Sequence, residues 1–406
     1  MNLITLSLCA ISMSQASQTD FVTGSNKMGM SLLSQSFKEK PGNVMVSPLS
    51  IGLCLAMVEE GARGQTRTQM DTVLGIPTQT RDSVVAAIPD TVNALMSTGE
   101  EKMRMDIANS VWTNRTIEIE PSFSELVQSR FRARVTSLDF SNSKDALGQI
   151  NGWVNDQTRG KIPTILDRID PGMLMVLVNA ISFKANWQFP FLERLTSQKS
   201  FTYQGGKTGT VPTMFHQANV RYYQDKTVEA VTLPYSAGQY SMIILLPPKD
   251  NKNLGKFVED MTAERLMNIY ENGLGAPVAY SIPKWKSDFE IELQDMLRKM
   301  GMPDAFSAAK ADFSGMSKTR SHIDRVIHKT FIEVDEKGTE AAAVTATTMR
   351  AGSAMRPEPP KEFTVDRPFM YAIVQRTTGS ICFAGVVTNP IVTEGRTVAP
   401  GSRGGR

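Results

Sequence analysis

The sequence predicts an α+β protein, and three observations carry that prediction. Met173 to Phe183 is apolar on both faces, the composition of a central strand covered on each side. Pro48 to Glu60 reads as a buried helix: Ser47 can accept hydrogen bonds from the free amides of the first turn, Pro48 suits the first helical position, and Gly61 ends the run IGLCLAMVEE. Thr339 to Met349 consists almost wholly of Ala, Val and Thr, yet Gly338 precedes it and the Pro-rich run Pro357 to Pro360 follows. That segment has the side chains of a strand and the flanks of a loop. Strand side chains alternate between faces. The odd positions Thr339, Ala341, Ala343, Thr345, Thr347 and Met349 are uncharged, and the even positions carry Glu340 and Arg350, the only charges between Gly338 and Ala351. If the segment entered a sheet, one face could be buried without burying a charge. Composition alone also fits a flexible Ala/Thr linker.

Taken in order, residues 3 to 13 (LITLSLCAISM) form an apolar run followed by Ser14-Gln15-Ala16, so a secretory leader over 1–16 and a secreted protein are expected. No Lys or Arg precedes the run, which leaves the cytoplasm as the alternative. The run is too short to span a bilayer, and no membrane association is expected. Asn26 to Phe37 should be the first helix, stopped by Pro41 and Gly42, and Asn109 to Thr113 a strand. The sequon Asn114-Arg115-Thr116 makes Asn114 a glycosylation candidate in a secreted chain. Ala146 to Gly160 is helical, with Ile150, Trp153 and Val154 on one stripe. Gly205-Gly206-Lys207-Thr208 reads as a hairpin turn, because the first glycine of a phosphate loop would fall at Phe201. Val228 to Leu233 and Tyr240 to Leu246 are strands, Leu254 to Ile269 is helical, Ala279 to Trp285 is a strand and Ile291 to Met300 a helix. Val326 to Glu333 is extended, and Phe369 to Gln375 with Ser380 to Val387 form a hairpin around Thr378-Gly379. Residues 391–406, ending in PGSRGGR, should be a disordered tail.

Composition narrows the function. Hydrophobic residues make up 41% and charged residues 21%, ordinary for a soluble globular protein. The net charge of +3 is dispersed, which gives no reason to expect a nucleic-acid partner. Cys9, Cys54 and Cys382 have no metal-site spacing, and the last two sit in apolar segments as buried thiols. With His216, His322 and His328 the only histidines, and no GxSxG or HExxH, the chain carries no catalytic motif. Ser47 and Ser50 lie at a helix start, where capping is their expected work.

One stretch then meets a known pattern: EVDEKGTEAAAVTA, Glu333 to Ala346, resembles the hinge of the reactive-centre loop of the serpins. Asn43 to Ala56, Val176 to Phe191, Pro283 with Lys284, and Asp366 to Pro390 resemble serpin segments in the same order, so the likeness covers roughly residues 25 to 390. The resemblance implies one serpin domain over 17–390, with large mixed sheets, about eight or nine helices and an exposed loop at about 336–367. It implies an inhibitor and no enzyme: a serine protease attacks the loop, forms an acyl-enzyme, and is trapped as the cleaved loop inserts into the main sheet. A non-inhibitory carrier or chaperone and a cysteine-protease inhibitor are the alternatives. The hinge would comprise Glu336, Gly338, Thr339, Glu340, Ala341, Ala342 and Ala343. Ser47, Ser50, Asn179 and His328 resemble a buried cluster that controls sheet opening, and Trp187 and Lys284 resemble the residues at the top of the sheet, Lys284 pairing with Glu336. Counting Glu336 as one, the seventeenth residue is Gly352, which puts the scissile bond at Gly352-Ser353; counting back from Pro368 points near Pro357, with Arg350, Met355 and Arg356 as alternatives. Gly352 suits an elastase-like or subtilisin-like protease, the arginines a trypsin-like one. A monomer needing no cofactor or metal is expected, its partner the target protease.

Overall fold

In the computed structural model, residues 3–96, 103–236, 238–251, 253–339 and 359–390 are described. The strand that is apolar on both faces is β4 (Met175–Asn186), buried along its whole length except at Lys184. It lies inside a six-stranded sheet of order β10 (Trp285–Glu292), β11 (Arg325–Val334), β12 (Gly338–Thr339), β4, β2 (Met103–Asn114) and β3 (Arg134–Leu138). β11 and β4 are parallel neighbours from Arg325 opposite Val176 up to Phe331 opposite Ser182. Above that pair they part, and the two residues of β12 fill the gap antiparallel to both, Thr339 lying between Val334 and Ala185.

Two apolar layers explain the composition of β4. Leu177 and Ile181 belong to the large core behind the sheet, while Val176, Val178 and Ala180 belong to a second cluster in front, with Trp112, Phe140, Ile327 and Phe331. The front cluster is closed by α6 (Ser143–Gln157), which buries Ala146, Ile150 and Val154. Trp153 meets Trp112 edge-on, with ring centroids 5.8 Å apart. The loop after α6 is strapped over β11: Lys329 Nζ donates to the Thr164 carbonyl at 2.9 Å, and the Asn151 side chain accepts from the Ile165 and Leu166 amides at 2.8 and 2.9 Å.

The second sheet runs β1 (Val44–Val46), β15 (Ile381–Val387), β14 (Phe369–Gln375), β8 (Tyr240–Leu246), β7 (Glu229–Pro234), β6 (Thr208–Gln224), β9 (Leu274–Pro283) and β13 (Lys361–Thr364), with β5 (Ser197–Thr202) also on β6. The remaining helices are α1 (Leu3–Glu39), α2 (Pro48–Glu59), α3 (Gly64–Leu74), α4 (Arg81–Met96), α5 (Pro121–Phe131), α7 (Leu254–Asp260), α8 (Ala263–Asn272) and α9 (Gln294–Met300). α2 is buried at every residue and passes behind the main sheet against β4 and β2.

Four expectations need correction. The first helix begins at Leu3 instead of Asn26, because Ser17, Ser25 and Asn26 are buried polar positions that interrupt the apolar periodicity without ending the helix. The helical stretch from Leu254 divides at Thr262, whose side chain caps α8 by accepting from the Arg265 amide at 3.2 Å. Ile291 and Glu292 belong to strand β10, whose charged outward residues hide its alternation; the helix starts only at Gln294. Asn114, finally, turns inward: its Nδ2 donates to the Pro171 and Met173 carbonyls, both at 3.2 Å, and its Oδ1 accepts from the Thr116 amide at 3.2 Å. A sugar on that nitrogen would displace both bonds. Gly205 and Gly206, with φ of 90° and 86°, make the β5–β6 turn as expected of a hairpin.

A buried charge network ties α2, α3 and α4 together. The fully buried Glu59 carboxylate accepts from Arg81 Nε at 2.9 Å and Nη2 at 2.7 Å, with Arg67 Nε at 3.2 Å. Arg81 also reaches Glu60 at 2.9 Å and Asp71 at 3.8 Å. Arg130 Nη1 stands 3.9 Å from Glu60 on its other side. Burial, then the charge of Asp71, pushes Glu59 up to about 7 against the pull of Arg81. A carboxyl whose pKa is raised by folding stabilises most below its unfolded value of 4.5, and that contribution is lost as pH rises through 7. Glu59→Gln should therefore gain on the parent by about 1.4 kcal/mol per pH unit between pH 5 and 7, measured by denaturant unfolding. A pH-independent difference would contradict the raised pKa of Glu59.

Candidate functional site

The site is the top of the main sheet, where β11 and β4 part and the chain turns from β11 into β12. The Asp335 carboxylate accepts from the Lys337 and Gly338 amides at 2.9 and 3.2 Å and so shapes the turn. Gly338 is required by close approach: a Cβ there would stand 2.0 Å from the Ala185 carbonyl oxygen. Thr339 is fully buried, and its hydroxyl shares a 2.9 Å hydrogen bond with Tyr235. The first odd position of the hinge thus points into the core behind the sheet.

Glu336 is held from two sides. Lys284 Nζ donates to one carboxylate oxygen at 2.8 Å and Thr196 Oγ1 to the other at 2.8 Å. Burial raises its pKa, and these hydrogen bonds outweigh burial and leave it below the ordinary carboxylate value. Trp187 completes the clamp. Its indole Nε1 donates to the Asp335 carbonyl at 3.0 Å, its amide donates to the Lys337 carbonyl at 3.0 Å, and its ring stacks on Tyr235 at 4.6 Å. Thr196 and Tyr235 went unnoticed in the sequence, since neither sits in a motif and both reach the hinge only through tertiary contact.

Behind the sheet, Ser47, Ser50, Asn179 and His328 come together in one hydrogen-bonded cluster. The Ser47 amide donates to His328 Nε2 at 3.0 Å, which makes Nδ1 the protonated nitrogen, donating to Asn179 Oδ1. Asn179 Nδ2 donates to the Ser50 carbonyl at 3.0 Å, to Ser50 Oγ at 2.5 Å and to Asn109 Oδ1. Ser47 Oγ caps α2 by accepting from the Ser50 amide at 3.2 Å. Asn109 is a further member; an amide side chain inside a buried strand was its available signal. Because His328 and Asn179 are register partners on β11 and β4, the cluster bridges the seam between those strands. Among the described residues no group of His, Cys, Asp or Glu could hold a metal ion.

Glu340, Ala341, Ala342, Ala343, Arg350, Gly352, Ser353, Met355, Arg356 and the 391–406 tail lie outside the described residues.

The serpin family model, described as serine protease inhibitor, matches residues 23–390. Human leukocyte elastase inhibitor is 34% identical over 88% of this chain and 96% of its own length. An uncharacterised serpin-like protein of Thermococcus kodakarensis is 34% identical over 87% of this chain and 83% of its own. The native structure of the thermophilic serpin tengpin superposes with a TM-score of 0.81 at 30% identity, covering 91% of this chain and 94% of that one. The chain belongs to the serpin family.

Burial lowers the His328 pKa to about 3. A histidine lowered by folding leaves its stabilisation intact above the unfolded value of 6.5 and loses it as pH falls from there toward 3. Between pH 6.5 and 4.5 the loss should reach about 2–3 kcal/mol. Unfolding scans of the parent and His328→Gln should diverge over that window, the parent weakening more steeply; parallel curves would contradict a neutral His328.

Proposed function

We propose that this serpin inhibits serine proteases as a suicide substrate, and that the hinge from Glu336 to Ala343 carries the cleaved loop into the seam between β11 and β4. The observation that supports this reading most is Thr339: it already sits as a strand residue between β11 and β4, with its side chain in the core. The uncharged odd positions that follow allow the same burial to continue. About a dozen inserted residues, each gaining a backbone hydrogen bond at about 1 kcal/mol net, supply a driving force comparable with a domain's stability. In this reading the Ser47–Ser50–Asn179–His328 cluster governs the parting of β11 and β4, and the Lys284–Glu336 pair restrains the hinge. The bond attacked is Gly352-Ser353, and a small residue at that position fits an elastase-like protease, the class named for the human relative.

Incubation with a panel of serine proteases should give a covalent complex stable on a denaturing gel and a released fragment beginning at Ser353. A fragment beginning at Ala351 or Pro357 would move the site to an arginine and the target to a trypsin-like enzyme. Ala343→Arg should turn the inhibitor into a substrate, because a buried cation carries a desolvation penalty of several kcal/mol, while Ala342→Arg on the other face keeps more inhibition. Equal complex formation by both variants would defeat the insertion reading.

For location, α1 runs unbroken through residue 16, with Ser17 and Phe21 buried just beyond it, which favours the cytoplasmic alternative over cleavage after Ala16. N-terminal sequencing of protein made in secretory cells separates the two: retention leaves the native start inside the cell, whereas export with cleavage gives medium protein starting at Ser17.

A further inference from the structure

Four cations crowd the front of the main sheet at the level where β11 and β4 part. Arg104 and Lys184 are register neighbours on β2 and β4, and Lys286 and Glu333 on β10 and β11. Their side chains share the front face, because the next residues along, Met103, Ala185, Val334 and Trp285, are buried in the core behind. Lys161, from the loop after α6, joins them from above: its Nζ stands 5.5 Å from the centroid of the Phe331 ring, and Lys286 Nζ stands 5.3 Å from the same ring. Burial holds the Lys161 ammonium below the usual lysine range; Glu333 opposes that shift, and Lys184, Lys286 and Arg104 add to it. Arg104 is matched by Asp106 at 2.7 Å. Lys184 and Lys286 form no ion pair among the described residues.

Register then identifies the group that reaches this place. Thr339 lies opposite Ala185 on one side and Val334 on the other. Continued one residue further, the same antiparallel registers would bring Glu340 between Lys184 and Glu333, on the front face that alternation assigns to even positions. Deeper in the seam, from Phe331 and Ser182 downward, β11 and β4 are still paired to each other. On these registers Glu340 and Ala341 are the two residues that could join the sheet before a pair between those strands has to break, and Glu340 is the charged one of the two.

We propose that Lys161, Lys184 and Lys286 form a carboxylate-binding site whose occupant is Glu340 of the same chain, and that docking of this carboxylate is the electrostatic first step of loop insertion. This inference rests on the insertion reading and names the residues that set its rate. It separates the two faces of the hinge by role: the odd face must be uncharged to be buried, whereas the first even position must be anionic to be captured. Glu333, across the slit, is a like charge, so the attraction has to come from Lys184, Lys161 and Lys286 together.

The test uses full-length protein in two assays. In the first, each variant is nicked in the loop with subtilisin and its gain in thermal midpoint over the intact form is recorded; in the second, moles of inhibitor consumed per mole of trapped protease are measured. Glu340→Lys should raise consumption up to about fivefold, the range expected of a solvent-accessible ion pair. Lys184→Glu should do the same, and the double variant Glu340→Lys with Lys184→Glu should recover most of the loss, a recovery two independent perturbations would not show. The milder pair Glu340→Gln and Lys184→Gln covers the case of a charge reversal that folds poorly. The difference between parent and Glu340→Lys should shrink in 1 M salt. If the nicked parent gains no stability, the insertion reading itself fails. If the parent gains stability but Glu340→Lys matches it in both assays, or the double variant shows no recovery, insertion stands and the carboxylate site falls.

Discussion

The structure depends on where two parallel strands stop being neighbours. β11 and β4 pair up to Phe331 and Ser182, and the chain leaving β11 returns at once as β12 to take the place between Val334 and Ala185. Buried backbone groups must be paired, so the top of the seam is satisfied by the visiting β12, and the part from Ser182 down by the strands themselves. The hinge clamp, the buried cluster and the cationic patch are all arranged along this one boundary. Each meets the seam from a different side: Glu336 and Trp187 from the top, His328 and Asn179 from behind, Lys161 and Lys184 from the front.

Behind the seam, around His328 and Asn179, the buried chemistry is neutral where it could have been charged. His328 accepts a backbone amide through one nitrogen and donates to Asn179 through the other, so a full set of hydrogen bonds crosses from β11 to β4 and α2 without an ion. Such a cluster is satisfied only in one arrangement, and a small displacement of β4 against α2 leaves several polar groups unpaired together. The cost of parting the strands is therefore steep at first and small once the cluster has broken. The buried charges of Glu59 and Arg81 hold helices together away from the seam, and that of Glu336 lies at its rim.

Much of the fold could be read from local residues, and the reasons for the failures are physical. Ser47-Pro48 and Gly61 marked α2 because capping is a local interaction, and β4 was visible because burial on both faces leaves no polar alternation. β10 went unread because a strand at the edge of its sheet needs charges on its open side, and WKSDFEIE carries four. Gly338 and Thr339 were legible through their pattern, and Glu336, Asn179 and His328 through resemblance. Thr196, Tyr235 and Asn109 were not, since a threonine or tyrosine that acquires its role by meeting a distant chain segment has the same local signature as any other.

The strap over β11 carries a further implication. Lys329 holds the Thr164 carbonyl on one side and Glu290 at 3.1 Å on the other, while α6, from which the strapped loop issues, rests on β2 across the seam. The layer in front of the slit is thus fastened to both of its banks. On the insertion reading, a fresh molecule left alone and a molecule that has just been cut face the same obstacle. Weakening the strap would hasten capture of a protease and would equally shorten the time an idle molecule keeps its capacity to act. On that reading Lys329 and its neighbours would tie shelf life to speed, and neither could be changed without the other following.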